Sequence, residues 1–205
     1  MIQVPISTPY WLAGLVATLS IGGCSSSNTA STAVNELAAS SVSILPGEQP
    51  SQNQKDKMLS AKDALFTQLS GRLIETMGSA GPIAAISVCE REAPKIAKSV
   101  STEHGLQIGR TGVRLRNVEN KPPAWADELI ASRTDTPTFA TLSNGHVAAL
   151  LPIKLQAQCL MCHGPKEQIA ADIQAQLAKH YPNDEATGFQ DGELRGWFWV
   201  EMENN

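Results

Sequence analysis

Apolar residues recur at helical spacing in the first regular part of the chain. The members of this apolar face are Met58, Leu65, Leu69, Leu73 and Met77. Their separation by four residues, or by about twice that, predicts an amphipathic helix. We expect this helix to end between Gly78 and Gly81, because glycine weakens a helix interior and suits its end.

A second helix is predicted to begin at Pro82, because the first turn of a helix accepts proline. The apolar positions of its first part are Ile83, Ile86, Cys89 and Ala93. We expect a bend or a restart at Pro94 and an end at Gly105. The pattern therefore places Cys89 on the apolar face of a helix.

Shorter stretches with alternating polarity follow, and they predict strands. These stretches run from Gln107 to Arg116, from Thr138 to Leu142, from His146 to Leu155 and from Leu194 to Met202. Two further helices are predicted between them, from Pro122 to Leu129 and from Pro165 to His180. Helices followed by mostly antiparallel strands predict an α+β domain with a small sheet flanked by helices.

The N-terminal residues 1–23 have the pattern of a signal peptide. The apolar run from Tyr10 to Gly23 is shorter than the ~20 residues that cross a bilayer, and it ends in small residues. Ile21-Gly22-Gly23-Cys24 resembles a bacterial lipobox, in which the cysteine is acylated and the preceding segment is removed. The first basic side chain is Lys55, which is unusual for a signal peptide. The alternative is cleavage elsewhere, with Cys24 a free thiol.

Residues 24–54 are predicted to form a flexible tether. They are rich in Ser, Thr, Ala, Asn and Gln and have no periodic apolar face. We expect the folded domain to span residues 55–205. A lipid on Cys24 would hold this domain on the periplasmic side of a bacterial membrane, and Ser25 in place of Asp favours the outer membrane.

The charge balance excludes nucleic-acid binding as the main role. The chain has 16 Lys and Arg residues against 20 Asp and Glu residues, a net charge of −4. Duplex binding depends on basic groups that neutralise phosphates. We therefore expect no nucleic-acid partner. We expect contact with a membrane only through the N-terminal lipid.

The most specific chemical signal is Cys159-Leu160-Met161-Cys162-His163. In an exported protein this CxxCH sequence is typical of covalent haem c attachment. Side chains at i and i+3 share a helical face, so the two sulfurs can form thioethers with the two vinyl groups of one haem. His163 is then placed to coordinate the iron. A structural zinc site would need a second ligand pair, and a disulfide or redox dithiol is the remaining alternative.

The residues alone leave the ligand on the other face of the iron open. The candidates are Met58, Met77, Met161, Met202, His104, His146, His180 and Cys89. The methionines fit core positions or the attachment loop, and the histidines occupy polar or turn contexts. Cys89 has no disulfide partner if the other cysteines are used as predicted. A single cysteine on an apolar face is, however, more often a small buried side chain.

Four stretches of the sequence carry a family resemblance. They are Ala85–Glu90 with Ala93–Ala97; Ile108–Thr111 with Leu115–Asn117 and Asn120; Cys159–Gly164; and Tyr181-Pro182, Asp184, Ala186, Gly188-Phe189, Gly192 and Arg195-Gly196. In this order they resemble the exported single-haem c domains of unknown function with a PAS-like fold. The resemblance implies one covalent haem c and an axial thiolate from Cys89 opposite His163. The chain departs from the family pattern at Gly112, where Ser is usual, and at Arg114, where Lys is usual.

Three arginines alternate along the first predicted strand. Arg110, Arg114 and Arg116 would share one strand face, which suits the haem propionates or a partner's carboxylates. A solvated strand face explains the alternation almost as well. We favour Arg110 as the propionate contact because it lies in a matched stretch.

Two classes of function remain. The PAS-like resemblance favours a haem-based redox or gas sensor module that signals to a separate redox or signalling protein. Covalent haem and a membrane anchor favour the alternative, a low-potential monohaem electron carrier. We expect no enzyme activity, because ligation by Cys89 closes the iron face that peroxide chemistry requires.

Overall fold

The computed structural model describes residues 42–204. The predicted signal peptide, the predicted lipidation site Cys24 and most of the predicted tether lie outside the described residues. Between residues 42 and 204, no helix has both the length and the hydrophobicity needed to span a membrane.

The chain forms its two longest helices first and most of its strands later. The α-helices are α1 (Gln52–Ser87), α2 (Ala93–His104), α3 (Asp127–Ala131), α4 (Leu160–His163) and α5 (Ala171–His180). The strands are β1 (Gln107–Gly112), β2 (Thr138–Thr141), β3 (His146–Lys154) and β4 (Leu194–Glu203). A π-helical turn, Val88–Glu92, joins α1 to α2. Short 3-10 turns precede the last three helices, at Ala124–Ala126, Ala157–Cys159 and Lys166–Gln168.

The strands form one antiparallel sheet in the order β1-β4-β3-β2. The central strand β4 pairs with β1 on one side and β3 on the other, so that Trp199 lies opposite both Gly109 and Leu150. This architecture confirms the predicted α+β class, with a small antiparallel sheet flanked by helices.

The two faces of the sheet pack into separate cores. The core that includes residues of α1 and α2 contains Met58, Ala61, Leu65, Val100, Leu106, Ile108, Val147, Ala149, Leu151, Phe198, Val200 and Met202. The other core contains Trp125, Ala126, Leu142, Ala148, Leu150 and Trp197. Successive residues of a strand point to opposite faces, which explains why neighbours in β3 belong to different cores. Burial of each large apolar side chain contributes about 1.5–3 kcal/mol, so this two-sided core gives the loops of the site a rigid support.

Local sequence signals set the ends of the first two helices. Ser51 caps α1: its side chain accepts the backbone N–H of Gln54, and the Gln54 side chain accepts the backbone N–H of Ser51 at 2.8 Å. Helical geometry breaks at Gly81, which has φ 82° and ψ 171°, dihedrals that suit glycine, and Pro82 follows directly. Gly105, in a left-handed conformation with φ 62°, caps the C-terminal end of α2. The predicted helix break and the predicted helix end are both confirmed.

The fold begins earlier than the boundary predicted at residue 55. Ile44 forms an antiparallel bridge with Leu142, and the buried side chain of Gln54 donates a hydrogen bond to Asn204 at 2.7 Å. These contacts use backbone groups and polar side chains, which hydrophobic periodicity does not register. Residues 42–54, predicted as tether, therefore belong to the folded unit.

Two predicted elements are shorter in the structure. Strand β1 stops at Gly112, because its pairing with β4 ends at Gly196, and Arg114 and Arg116 therefore lie beyond the strand. The helix predicted from Pro165 begins only at Ala171, after a 3-10 turn and a residue with extended backbone.

The restart predicted at Pro94 is replaced by the π-helical turn just before it. The backbone N–H of Ala93 bonds to the carbonyl of Val88, five residues back, which is the π-helical pattern. Pro94 then lies in the first turn of α2, where its missing N–H costs little. Single π turns inside helices often occur at functional sites. Cys89 is the second residue of the π turn Val88–Glu92.

Candidate haem site

The CxxCH residues form one short helical turn. Cys159 ends the 3-10 turn before α4, and Cys162 and His163 end α4 itself. Both thiols are half-buried and free. Cys159 packs against the cluster Leu155, Ala186 and Phe189, whereas Cys162 packs against the cluster Ile86, Ile169, Ile173, Leu177 and Tyr181. Each sulfur therefore lies at its own apolar cluster, and no disulfide joins the two.

The backbone holds His163 in one orientation. Its Nδ1 atom lies 2.7 Å from the carbonyl oxygen of Ala186. A carbonyl only accepts, so Nδ1 carries the proton and Nε2 keeps its lone pair. Burial, reinforced by the positive charge of Arg116, lowers the pKa of His163 well below its ordinary value, and the ring is neutral. A neutral imidazole with this tautomer is the form that binds a metal through Nε2.

The segment from Asp184 to Phe189 is fastened against α4. The Asp184 carboxylate accepts the backbone N–H of Ala186 at 2.8 Å, which fixes the carbonyl that His163 uses. The backbone N–H of Phe189 donates to the carbonyl of His163 at 3.0 Å. The fully buried Phe189 ring lies edge-on to the imidazole, with the ring centroids 6.4 Å apart. His163 is thus restrained through both its backbone and its ring.

Arg116 closes a buried network behind the histidine. Its Nε donates to Asp184 at 2.9 Å, and its Nη2 donates to the carbonyls of Cys162 at 2.5 Å and Ala186 at 3.2 Å. The side chains of Arg116 and Asp184 are only 8% and 10% exposed. The prediction that Arg116 shares a strand face with Arg110 is wrong. Strand β1 ends at Gly112, before Arg116. The donor atoms of Arg116 bind the Asp184 carboxylate and two backbone carbonyls.

The π turn brings Cys89 close to the CxxCH motif. Cys89 is half-buried and free. Ile86, about one turn earlier, packs in the same apolar cluster as Cys162. Burial raises the pKa of the Cys162 thiol, and negative charge on Cys89 raises it further, against the opposing effect of Arg116. Cys89 therefore lies within electrostatic reach of the motif, although the two are far apart in the sequence.

Side-chain pairs from two helices hold this π turn in place. Glu90 accepts from Nδ1 of His180, at the end of α5, at 2.9 Å. Glu92 accepts from Nε and Nη2 of Arg72, on α1, at 2.6 Å and 3.3 Å. The position of Cys89, which directly precedes Glu90 in this turn, thus depends on contacts with both α1 and α5.

Positive charge is concentrated next to these thiols. Burial lowers the pKa of Arg110, and negative charge on Cys89 and Tyr181 opposes that shift. Burial and the neighbouring charges of Arg116 and Arg110 lower the pKa of Arg195 to about 10. Arg110, the predicted propionate contact, therefore lies near Cys89, and Arg195 joins the same group of cations.

Arg195 and Gly112 are site residues that the sequence reasoning did not assign a role. The Nη1 atom of Arg195 donates to the carbonyl of Arg114 at 2.9 Å. A Cβ atom on Gly112 would lie 2.3 Å from that Nη1 and 2.8 Å from that carbonyl oxygen, so the close approach requires glycine. The two departures from the family pattern, Gly112 and Arg114, meet at Arg195. Their joint occurrence is a sequence signal from which Arg195 could have been found.

Several other candidates for the second iron ligand lie in different surroundings. Met58 and Met202 are buried in the core between the helices and the sheet. Met161 is 42% exposed. His146 bonds to Glu201 at 2.8 Å. His180 bonds to Glu90 at 2.9 Å, and Cys89 lies close enough to Cys162 for its negative charge to raise the pKa of that thiol.

The donor set fits an iron porphyrin. Two free thiols on one helical turn match covalent attachment at two vinyl groups. A neutral imidazole and a third thiol, from Cys89, match two axial ligands. The buried arginines match the two carboxylates that such a ring carries.

Comparisons with known proteins agree with this chemistry. A family model described as Tll0287-like matches residues 28–202. The chain is also similar to a solved structure, the crystal structure of the cyanobacterial heme-protein Tll0287, with 26% sequence identity and a TM-score of 0.57. That match covers 76% of this chain and 98% of the other. No curated protein matches the chain. The resemblance to a haem-protein family of unknown function is thereby confirmed, and the chain belongs to the Tll0287-like family.

Proposed function

We propose that this chain is an exported, lipid-anchored haem c protein that acts as a haem-based redox or gas sensor module. The observation that carries the proposal is the fixed, neutral His163 beside two free thiols, with Cys89 held near the same motif. The similar solved structure is that of a heme-protein, which supports haem as the cofactor.

Each residue of the motif has a separate role in this proposal. Cys159 and Cys162 attach the haem, each S–H adding across one vinyl double bond to give a thioether. His163 binds the iron through Nε2, and Cys89 binds the opposite face as a thiolate. The bound haem supplies one-electron chemistry and a site for a diatomic gas. Arg116 keeps the imidazole in place through the shared carbonyl.

Ligation by Cys89 favours a sensor over a carrier. Ferric iron has one more positive charge than ferrous iron, so a thiolate is held more strongly in the oxidised protein. We expect Cys89 to leave the iron, with uptake of a proton, after reduction. Its departure removes one restraint on the turn Val88–Glu92, and a movement there can be passed to a partner protein.

The runner-up function is a low-potential electron carrier. The exposure of Met161, which lies between the two attachment cysteines, favours it, because electron transfer needs a haem edge close to the surface. A pure carrier keeps both iron ligands, since moving one adds reorganisation that slows electron transfer. The two functions therefore differ in the fate of Cys89 on reduction.

The cellular setting is part of the same proposal. We place the protein on the periplasmic side of the outer membrane, held by a lipid on Cys24, with a separate redox or signalling protein as its partner. We assign it no enzyme activity, because Cys89 occupies the iron face that peroxide chemistry needs.

Electron paramagnetic resonance of the oxidised protein tests the ligand assignment. We expect a low-spin thiolate signal in wild type and in the control Ser99→Ala, a surface change on α2, and its loss in Cys89→Ala. Cys89→Ser separates loss of sulfur from loss of the side chain, and it should also lack the signal. A thiolate signal that persists in Cys89→Ala would show that Cys89 is not the ligand.

A further inference from the structure

Arg114 carries buried donor atoms that no group in the described part of the chain satisfies. Among residues 42–204, its Nε and Nη2 are the inaccessible side-chain nitrogens or oxygens without a hydrogen-bond partner. Buried polar groups in folded proteins are almost always hydrogen-bonded, and an unpaired charged donor is the costliest exception. Two such atoms on one guanidinium group point to an acceptor that comes from outside the polypeptide.

The ring of Phe189 connects this guanidinium group to the CxxCH motif. The Arg114 guanidinium carbon lies 4.0 Å from the centroid of the Phe189 ring, and that of Arg195 lies 5.5 Å from it. The same ring contacts the His163 imidazole edge-on, at 6.4 Å. The aromatic ring restricts the orientation of both cations. Two guanidinium groups therefore stand one aromatic ring away from the proposed iron ligand.

Among residues 42–204, Arg114 and Arg195 have no carboxylate partner. Asp184, the acidic side chain nearest in the network, is held by Arg116 at 2.9 Å. No ion pair joins Arg114 or Arg195 to an acidic side chain in the described part of the chain. The site is thus short of negative charge, and burial amid positive charge lowers the pKa of Arg195 to about 10.

We infer that Arg114 and Arg195 bind the propionate carboxylates of the haem. Nε and Nη2 lie on the same edge of the Arg114 guanidinium and form the two-donor fork that matches the two oxygens of one carboxylate. Arg195 directs its Nη1 to the Arg114 carbonyl and presents its charge to the same region. Arg110, the propionate contact expected from the sequence, has no inaccessible donor atom without a partner, so this argument applies to Arg114 and does not extend to Arg110. This assignment rests on the proposed function, because the propionates arrive with the haem.

Resonance Raman spectroscopy of the haem-loaded protein tests the assignment, because the propionate bending band responds to hydrogen bonds on the carboxylates. We expect Arg114→Gln and Arg195→Gln to shift this band and to lower the reduction potential, since removal of a nearby positive charge favours ferric iron. Arg133→Gln, the same change at an exposed arginine, should leave both unchanged. Arg114→Lys keeps the charge and loses the fork, so it should shift the band while the potential stays near that of wild type.

The outcomes separate this inference from the proposed function. Wild-type protein without bound haem would overturn the proposed function, since no propionate band would then exist. A normally loaded protein whose band stays unchanged in both Gln variants and in Arg114→Lys overturns the propionate assignment alone. Calorimetry measures whether succinate binds to the haem-loaded wild type. Succinate binding that is abolished in Arg114→Gln would also overturn the propionate assignment, because a soluble carboxylate would then occupy the site.

Discussion

His163 and Arg116 donate to the same acceptor, the backbone oxygen of Ala186, at 2.7 Å and 3.2 Å. Arg116 also forms a buried ion pair with Asp184, and Asp184 fixes the backbone N–H of Ala186. The orientation of the proposed iron ligand therefore depends on a charged network that has little contact with solvent. We therefore expect a loss of stability when this network is cut.

Replacing Arg116 by Leu should lower the free energy of unfolding by about 3–5 kcal/mol, because it leaves the buried Asp184 carboxylate without its partner. Guanidinium titration of the haem-loaded protein measures the change. The control Arg133→Leu, at an exposed position, should stay within about 0.5 kcal/mol of wild type. The double variant Arg116→Leu/Asp184→Leu should lose less than the sum of the two single variants. Additive losses would contradict the coupling.

Covalent attachment predicts a simple biochemical result. The double variant Cys159→Ala/Cys162→Ala, produced with cytochrome c maturation factors, should give no haem-stained band on a denaturing gel, because no thiol remains to form a thioether. Cys89→Ala should keep the band. The bond from Cys89 to the iron does not survive denaturation, so it does not contribute to the band in wild type either. The attachment proposal is wrong if wild-type protein lacks the band.

Much of the fold could be predicted because its signals are local. The break at Gly81, the end of α2 next to Gly105 and the apolar run of β3 each arise from a few neighbouring residues. The start of the fold could not be predicted in this way. Its contacts join distant positions through backbone groups and amides, as in the bond from Gln54 to Asn204.

The sequence predicted the CxxCH part of the site more completely than the arginine part. The CxxCH motif consists of five consecutive residues that together indicate haem attachment, so His163 could be predicted directly as an iron ligand. The arginines could not be sorted by spacing, because their roles depend on where β1 ends. Arg116 turns inward to carbonyl oxygens, while Arg114 stacks on Phe189. Only the tertiary structure separates these two roles.

The anchoring proposal makes a prediction about cell fractions. Cys24→Ala should move the protein from the membrane fraction to the soluble periplasm, because the thiol that carries the lipid is lost. Immunoblots of separated fractions measure the distribution, and Ser26→Ala serves as a neighbouring control that should remain with the membrane. Unchanged partitioning of Cys24→Ala would remove lipidation from the account.

Loss of the Glu90–His180 contact should make the position of Cys89 less fixed and so weaken its ligation of ferric iron. His180→Ala removes the 2.9 Å contact between α5 and the π turn without touching an iron ligand. A partly exposed pair of this kind contributes up to about 1 kcal/mol, so we expect the population of thiolate-ligated ferric protein to fall by up to about fivefold relative to the unligated form. Low-temperature spin quantification measures that ratio. Lys154→Ala, which breaks a surface pair with Asp135, should leave it unchanged.

Carbon monoxide binding to the reduced protein tests the central claim, that Cys89 binds ferric iron and is released on reduction. Reduced wild type should bind carbon monoxide rapidly and to full occupancy, at a rate close to that of reduced Cys89→Ala, while the oxidised wild type shows the thiolate signal. A reduced wild type that stays six-coordinate and refuses carbon monoxide, while reduced Cys89→Ala binds it, would contradict the sensor account and leave the electron carrier in its place.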